Sequence, residues 1–210
     1  MFMNWINVGM AFKGCGKLDT LKELYDELDN GMKAFITESI SSNGPVSCLF
    51  RLLMVVRKGN PLPTCLCQIL LEKYQIKVEC LDFFFLVNDI CMNIMLEDVL
   101  FLTGLPIDGK PIIPAFSRDE DAFSIFESNA KTLSLGELKR IACGQGPQNH
   151  KIYVVLLFII NCIIVPSGDG HLCHPTYVQF IKELNDVNGY AWGAALLSFL
   201  YHGMKKYRKG

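Results

Sequence analysis

Apolar residues recur at helical spacing over much of the chain. Near its start, two stripes of this kind lie on either side of Gly31 and consist of Leu21, Leu24, Tyr25, Leu28, Met32, Phe35, Ile36 and Ile40. Residues three and four apart share one face of a helix, so each stripe predicts an amphipathic helix. Thr20 and Glu23 fit a capping box, in which both side chains bond free N–H groups at a helix start. We therefore predict a helical hairpin that begins at Thr20.

The next segments change from helical to strand character. Residues 45–56 and 63–74 predict two further helices, and Pro63 suits a first helical turn. Residues 83–87 and 90–95 are rich in strand formers and flank Asn88-Asp89, a pair that suits a tight turn although neither residue is glycine. We expect a short β-hairpin near residues 83–95.

Residues 96–103 predict a short helix with well-defined ends. Glu97 and Asp98 place carboxylates in its first turn, where the helix dipole favours negative charge. Gly104 can adopt the left-handed conformation that ends many helices, and Pro106 prevents any continuation. Local chemistry alone thus sets both ends of this element.

The second half predicts more helices around one long apolar run. Capping-box patterns at residues 117–120 and 134–137 each predict a helix start. The run 152–165 is interrupted only by Asn161, and as a helix it spans about 21 Å, short of the roughly 30 Å core of a membrane, so we interpret it as a buried central helix. Helices are also expected from Pro175 onwards and over residues 190–207. The predicted fold class is mainly α, a single multi-helix globular domain with one short β-hairpin.

Composition adds a surplus of apolar side chains. Half of the residues are hydrophobic, 20% are charged, and the mean hydropathy is +0.27. These values predict either an unusually complete core or an apolar surface that further chain, a second domain or a partner covers. The formal net charge of −1 gives no support to nucleic-acid binding. Nine cysteines, an odd number, and no recognisable signal peptide favour free thiols in an intracellular compartment.

Two ordered motifs resemble a known family. The first is Leu96-Glu-Asp-Val-Leu-Phe-Leu-Thr-Gly-Leu-Pro106, followed by Ile107-Asp-Gly-Lys-Pro-Ile112, and the second begins Tyr190-Ala-Trp-Gly193. Together they are similar to the signatures of the plant mobile domain family, also labelled aminotransferase-like plant mobile domain. The motif residues to which the resemblance gives a structural role are Leu96, Glu97, Asp98, Gly104, Leu105, Pro106, Gly109, Tyr190, Trp192 and Gly193.

The resemblance also divides the chain. Residues 1–44 are expected to form an N-terminal lead-in and helical hairpin that does not align with the family, and residues 45–210 the family-like helical domain. Family members commonly have Thr where Met95 stands, and a Thr would cap the following helix for about 1 kcal/mol. They also continue past the last helix, so we expect the domain to be incomplete at its C-terminus.

The resemblance implies a domain of transposable elements and of host genes derived from them. It implies nuclear roles in transposon silencing, gene expression and development, and a phosphatase-like protein as a partner. It assigns no catalytic residue, no cofactor and no metal.

Residue patterns that bear on chemistry are few and incomplete. Gly14-Cys-Gly-Lys17 lacks the spacing of a phosphate-binding loop. Lys139 would be the Schiff-base lysine of a pyridoxal-phosphate enzyme, but it is better interpreted as part of the solvated face of a capped helix. The other residues considered, for a metal site or a triad, are Cys65, Cys67, Ser167, Asp169, His171, Cys173 and His174. They lack a second ligand cluster and a nucleophile elbow, so we predict no catalytic, cofactor or metal site.

Three classes of function remain open. The favoured one is a non-enzymatic protein-interaction module, which predicts an exposed apolar patch and no clustered titratable groups. A nucleic-acid-binding remnant of a transposon protein predicts Lys and Arg side chains that converge into one stripe, to which residues 205–209 would contribute. An enzyme predicts a deep pocket that holds ionisable groups of perturbed pKa.

Overall fold

Three helices form the N-terminal part of the fold. They are α1 (Lys17–Glu27), α2 (Asn30–Ser41) and α3 (Ser47–Lys58). The computed structural model describes residues 17–58, 72–77, 82–114, 133–166, 172–173 and 175–208. Thr20 lies inside α1 and is not its N-cap, so the predicted start was wrong; the helix begins at Lys17 and has Asp19 in its first turn. Asp29, which was not predicted as a cap, caps the start of α2 by accepting a hydrogen bond from the Met32 N–H at 2.8 Å.

The apolar stripes of α1 and α2 face the core, but the two helices pack mainly on α3 and not on each other as the predicted hairpin would. Leu21, Leu24, Leu28, Met32 and Ile36 are buried and join one continuous cluster with side chains from the rest of the domain. This burial follows from their helical spacing, because one face of each helix meets the other helices while the polar face remains in water. The assignment of residues 1–44 to a separate lead-in stays a prediction.

A small antiparallel sheet follows α3. It consists of β1 (Tyr74–Lys77), β2 (Asp82–Val87) and β3 (Ile90–Met92) in that order. Asn88 and Asp89 have φ values of 49° and 63°, as a two-residue turn of the primed type requires, so the predicted hairpin is confirmed.

The first strand of this sheet was not predicted. The helix expected over residues 63–74 is wrong at its end, because Tyr74 begins β1 and pairs with Phe85. Both side chains are buried and their ring centroids are 5.5 Å apart, a cross-strand contact that favours the extended backbone. Most of the expected helix, residues 63–71, lies outside the described residues.

Two further predicted helix starts are confirmed, and a third lies outside the described residues. Helix α4 (Leu96–Thr103) has the predicted bounds, and Gly104 ends it with a φ of 70°. Helix α5 (Leu135–Cys143) begins after Ser134, whose hydroxyl accepts a hydrogen bond from the Glu137 N–H at 3.1 Å. The capping-box pattern at residues 117–120 lies outside the described residues. Two short strands, β4 (Leu133–Ser134) and β5 (Leu172–Cys173), pair beside α5 and were not predicted.

The long apolar run is the centre of the molecule, as predicted. Helix α6 (Gln148–Ile159) continues into one π-helical segment, Ile160–Ile164, in which every residue is buried. The Asn161 amide donates a hydrogen bond to the Leu157 carbonyl at 2.9 Å, which helps a polar group to be tolerated there. No helix within the described ranges is long and apolar enough to cross a membrane.

Two 3-10 segments and a long helix complete the fold. The helix expected from Pro175 is instead a 3-10 segment, Pro175–Phe180, and a second one, Leu184–Gly189, follows it. Asn188 in the second segment bonds to the start of α3: its side-chain oxygen accepts from the Cys48 N–H at 3.2 Å, and its amide donates to the Gly44 carbonyl at 2.8 Å. Helix α7 (Trp192–Arg208) packs on α4 and on the π-helical segment. The domain is mainly α with a small sheet, as predicted.

Candidate interaction surface

The structure brings the two sequence motifs together along their backbones. The segment after α4 runs beside the start of α7, and three hydrogen bonds join them. The backbone N–H of Gly193 donates to the Pro106 carbonyl at 2.7 Å. The backbone N–H of Lys110 donates to the Gly189 carbonyl at 2.8 Å, and that of Ala191 donates to the Lys110 carbonyl at 3.0 Å. We call this contact between residues 105–110 and 189–193 the motif joint.

Two glycines allow the close approach at the motif joint. Gly109 has a φ of 126°, and a Cβ atom added there would lie 2.4 Å from the Gly189 carbonyl oxygen. A Cβ atom on Gly193 would lie 2.9 Å from Ile107 Cγ2 and 3.1 Å from the Pro106 oxygen. At Gly109 the backbone contact and the positive φ exclude a side chain, and at Gly193 a side chain would force Ile107 and the Pro106 carbonyl to shift, so glycine favours the closed joint at both positions.

Trp192 forms the core of the motif joint. Its side chain is 0% exposed, and its indole N–H donates to the Val187 carbonyl at 2.7 Å. Phe180 and Tyr190 pack edge-to-face against the indole ring, with centroids 6.4 and 6.1 Å away. The expectation that this aromatic residue belongs to the core is confirmed. Trp192 is therefore unsuitable as a probe of a binding surface.

Exposed apolar side chains concentrate in one stretch next to the motif joint. Of the six large hydrophobic residues that are exposed within the described part of the chain, five fall between residues 90 and 101. They are Ile90, Met92, Met95, Leu100 and Phe101, and we call them the hairpin–helix surface. The sixth, Ile113, lies outside this stretch.

Helix α4 has one face buried in the core and an opposite face that belongs to the hairpin–helix surface. Val99 and Thr103 are buried on its inner face, towards α3 and α7. Phe101 projects from the outer face and is 88% exposed. The exposure of Phe101 was not predicted, although the sequence carries a signal for it. Phe101 lies four residues after Glu97, and hence on the same helical face as that exposed carboxylate. The Tyr201 hydroxyl donates to the Ile94 carbonyl and so fixes the segment that leads into α4 on α7.

Met95 occupies the N-cap position of α4 with an extended backbone. The carboxylate of Asp98 accepts from the Met95 N–H at 2.8 Å, which is one half of a capping box, but the thioether is only a weak acceptor for the other half.

We expect Met95→Thr to raise the free energy of unfolding by about 1 kcal/mol, because the hydroxyl can accept from the Asp98 N–H. Urea denaturation followed by circular dichroism measures this change. Met95→Ala is the control, since it removes the same exposed side chain without adding an acceptor. A Thr variant no more stable than the Ala variant would show that the cap is not formed.

A second group of polar residues lies between α1, α2, α5 and α6. Lys139 contacts two exposed carboxylates, Glu27 at 2.8 Å and Glu23 at 3.3 Å, which were not predicted from the sequence; the interpretation of its helix face as solvated stays a prediction. The hydrogen bond that Lys139 donates to Glu27, helped by the one to Glu23, raises the pKa of Lys139, whereas a Schiff-base lysine needs a lowered one. The favoured hypothesis had predicted no clustered titratable groups, but this cluster is present and its charges are paired.

Asp29 and Lys151 form the other ion pair of this cluster. Lys151 is nearly buried and its Nζ lies 2.6 Å from an Asp29 oxygen. The hydrogen bond from Lys151, helped by the Met32 N–H, lowers the pKa of Asp29. Near the ion pairs of Lys139 and Lys151, burial raises the pKa of the Cys143 thiol, and Glu27 adds to the effect. A protonated thiol is a poor nucleophile, so the group fits a structural contact between helices.

The remaining candidates for chemistry are mostly outside the described residues. This holds for Gly14, Cys65, Cys67, Ser167, Asp169, His171 and His174. Cys173 is described and is buried in β5 opposite Leu133. Within the described ranges, no group of three or more His, Cys, Asp or Glu side chains is placed to hold a metal ion.

The fold defines the chain as a mainly helical domain with a small antiparallel sheet and a conspicuous apolar surface. Residues 66–209 match the Plant mobile domain family, and the chain belongs to this family. The match includes the motif joint and the hairpin–helix surface. No solved structure matches the chain significantly.

Three similar proteins come from Arabidopsis thaliana. Protein MAINTENANCE OF MERISTEMS is 29% identical over 126 residues, which is 52% of this chain and 26% of that protein. Protein MAIN-LIKE 1 is 29% identical over 133 residues, 54% of this chain and 26% of that protein. Protein MAIN-LIKE 2 is 27% identical over 128 residues, which is 54% of this chain and 19% of that protein. The chain thus spans about a quarter or less of the length of these relatives.

Proposed function

We propose that this domain is a non-enzymatic protein-interaction module of the plant mobile domain type, and that it binds its partner through the hairpin–helix surface. The single observation that carries the proposal is Phe101, a large aromatic side chain that is 88% exposed on a helix packed firmly by its other face. Aromatic residues on rigid elements are favoured anchors in protein interfaces, because they bury a large area at low entropic cost.

The setting of the module comes from the family. By resemblance we propose that it acts in nuclear complexes linked to transposon silencing and gene expression, or is a remnant of a transposon protein, with a phosphatase-like protein as one partner. The name of the relative Protein MAINTENANCE OF MERISTEMS fits a role in development.

The two alternative functions, nucleic-acid binding and catalysis, receive less support from the described residues. Five cations form ion pairs with carboxylates, namely Arg57, Lys110, Lys139, Arg140 and Lys151. Paired cations do not favour the phosphate-binding stripe that a nucleic-acid-binding remnant requires. The raised pKa of Lys139 disfavours the amine chemistry that an aminotransferase requires.

The test is affinity capture of the tagged chain from plant nuclei, side by side with Phe101→Asp. We expect the wild-type chain to recover a specific protein and the variant to recover at least roughly tenfold less, as for an interface hot spot. The variant is expected to keep its melting temperature, since the side chain is exposed.

Ile113→Asp is the matched control, because Ile113 is also exposed, at 72%, but lies outside the hairpin–helix surface. It should recover as much partner as the wild type. Recovery of no specific partner, equal recovery by Phe101→Asp, or binding of free DNA by the chain at physiological salt would overturn the proposed function.

A further inference from the structure

The outer edge of β3 is open within the described part of the chain. Among the strands that the structure describes, β3 is the last of its sheet and pairs with β2 alone. All three of its residues, Ile90, Cys91 and Met92, are exposed. Edge strands present unpaired N–H and C=O groups to which another strand can bond, and natural proteins usually protect them with Lys, Pro or a bulge. Neither Lys nor Pro occurs in β3.

The pairing register shows which backbone groups point outwards. Leu86 donates its N–H to the Lys73 carbonyl at 2.9 Å, towards β1. Leu86 lies opposite Cys91, so these two residues form a pair without mutual hydrogen bonds. In such a pair the N–H and C=O of Cys91 point away from β2. Cys91 therefore offers one donor and one acceptor at the open edge, between the exposed side chains of Ile90 and Met92.

Exposed carboxylates flank this edge along the chain. Asp89 precedes β3, and Glu97 and Asp98 follow it at the start of α4. None of the three forms an ion pair with any residue that the structure describes. Their charge complements a partner segment that carries Lys or Arg.

The same charges disfavour a second copy of this chain as the occupant. If two β3 strands paired about Cys91, Asp89 of each copy would lie opposite Asn93 of the other. Asn93 lies three residues before the other copy's α4, whose first turn carries Glu97 and Asp98. Like charges brought together in this way oppose the pairing.

We propose that the outer edge of β3 binds an extended segment of a partner protein that alternates apolar with Lys or Arg residues. The segment pairs with the backbone of Cys91 and packs side chains against Ile90 and Met92. This mode is strand addition, in which main-chain hydrogen bonds supply affinity and side chains supply specificity. It rests on the proposed function, since it specifies how the hairpin–helix surface recognises its partner.

The probe is a fluorescein-labelled ten-residue peptide that alternates Lys and Val, added to the whole chain and followed by fluorescence anisotropy. Cys91→Pro removes only an outward N–H, a change that edge strands tolerate. We expect Cys91→Pro to weaken peptide binding roughly tenfold, because one backbone hydrogen bond is lost and the proline ring keeps the peptide from lying close to the strand. Cys91→Ser keeps the N–H and should bind like the wild type. A peptide with Glu in place of Lys should bind much more weakly.

A measurement on the unaltered chain makes the test independent of how Cys91→Pro folds. Saturating peptide should slow hydrogen exchange of the Cys91 amide in the wild type. Strand addition is wrong if the Lys-Val peptide does not bind, if it binds Cys91→Pro as tightly as the wild type, or if the Cys91 amide is not protected. A dimer that sedimentation detects in the wild type and not in Cys91→Pro would identify a second copy as the occupant instead. If these tests fail while Phe101→Asp still abolishes partner capture, the proposed function is supported and only the proposal of strand addition is wrong.

Discussion

Trp192→Ala is expected to lower the free energy of unfolding by about 3 to 5 kcal/mol, the usual cost of removing a large buried aromatic side chain. The indole is 0% exposed, and Phe180 and Tyr190 pack on it, so the cavity cannot close without moving the motif joint. A domain of this size is stable by only about 5 to 15 kcal/mol, so the loss is a large share of the total. Urea denaturation followed by circular dichroism at 25 °C measures it.

Trp192→Phe separates the packing of the ring from the hydrogen bond of the indole. Phenylalanine keeps most of the apolar contact but leaves the Val187 carbonyl without the donor it has at 2.7 Å. We expect an intermediate loss of about 1 to 3 kcal/mol. If both variants were as stable as the wild type, Trp192 would not be a core residue.

Gly109→Ala is expected to cost about 3 kcal/mol or more, for two separate reasons. A φ of 126° strains any residue with a side chain, at about 1 to 3 kcal/mol. In addition, the new methyl group would lie 2.4 Å from the Gly189 oxygen, which accepts the hydrogen bond from the Lys110 N–H. The backbone must then move and weaken that bond. Thermal denaturation should show a clear fall in melting temperature.

Two other glycines serve as graded controls for this substitution. Gly104 has a φ of 70° but open space around it, so Gly104→Ala should cost only about 1 to 2 kcal/mol. Gly146 has open space and no positive φ, so Gly146→Ala should be close to neutral. Equal costs for Gly109→Ala and Gly104→Ala would mean that the close approach at the motif joint is not made.

Elements whose cause is local could be predicted from the sequence. The bounds of α4 follow from Glu97, Asp98 and Gly104, and the hairpin turn follows from Asn88-Asp89, because these residues act on their own backbone neighbours. The buried central run could be predicted for a similar reason, since its length and composition leave few other places for it.

Features that depend on residues far apart in the chain could not be predicted. Tyr74 looks like the end of a helix until its ring meets Phe85 across the sheet. The ion pairs of Lys139 could not be predicted, because Glu23 and Glu27 lie on α1, far away in the chain. Thr20 shows the opposite error, because a good capping pattern lies inside a helix whose start is set elsewhere. In each case tertiary contacts override a local preference.

The hairpin–helix surface, too, could be predicted only in part from the sequence. The motif string drew attention to residues 96–106, but only the fold shows which of them point inwards. Val99 and Thr103 belong to the core and Phe101 to the outside, a difference that decides which variant tests stability and which tests binding. The close approach of Gly109 to Gly189 could not be foreseen, since no local pattern relates two segments about eighty residues apart.

The hydrogen bond between Asn188 and Cys48 joins residues 140 positions apart, and so it has a consequence for synthesis. The first turn of α3 emerges from the ribosome without the side chain that caps it. At about 5 to 20 residues per second, residue 188 is made roughly 7 to 28 s later. For most of that interval the N-terminal helices have apolar faces but lack the central helix, which begins only at Gln148, and throughout it they lack the cap. The nascent chain is therefore expected to depend on a chaperone until the second motif has been translated.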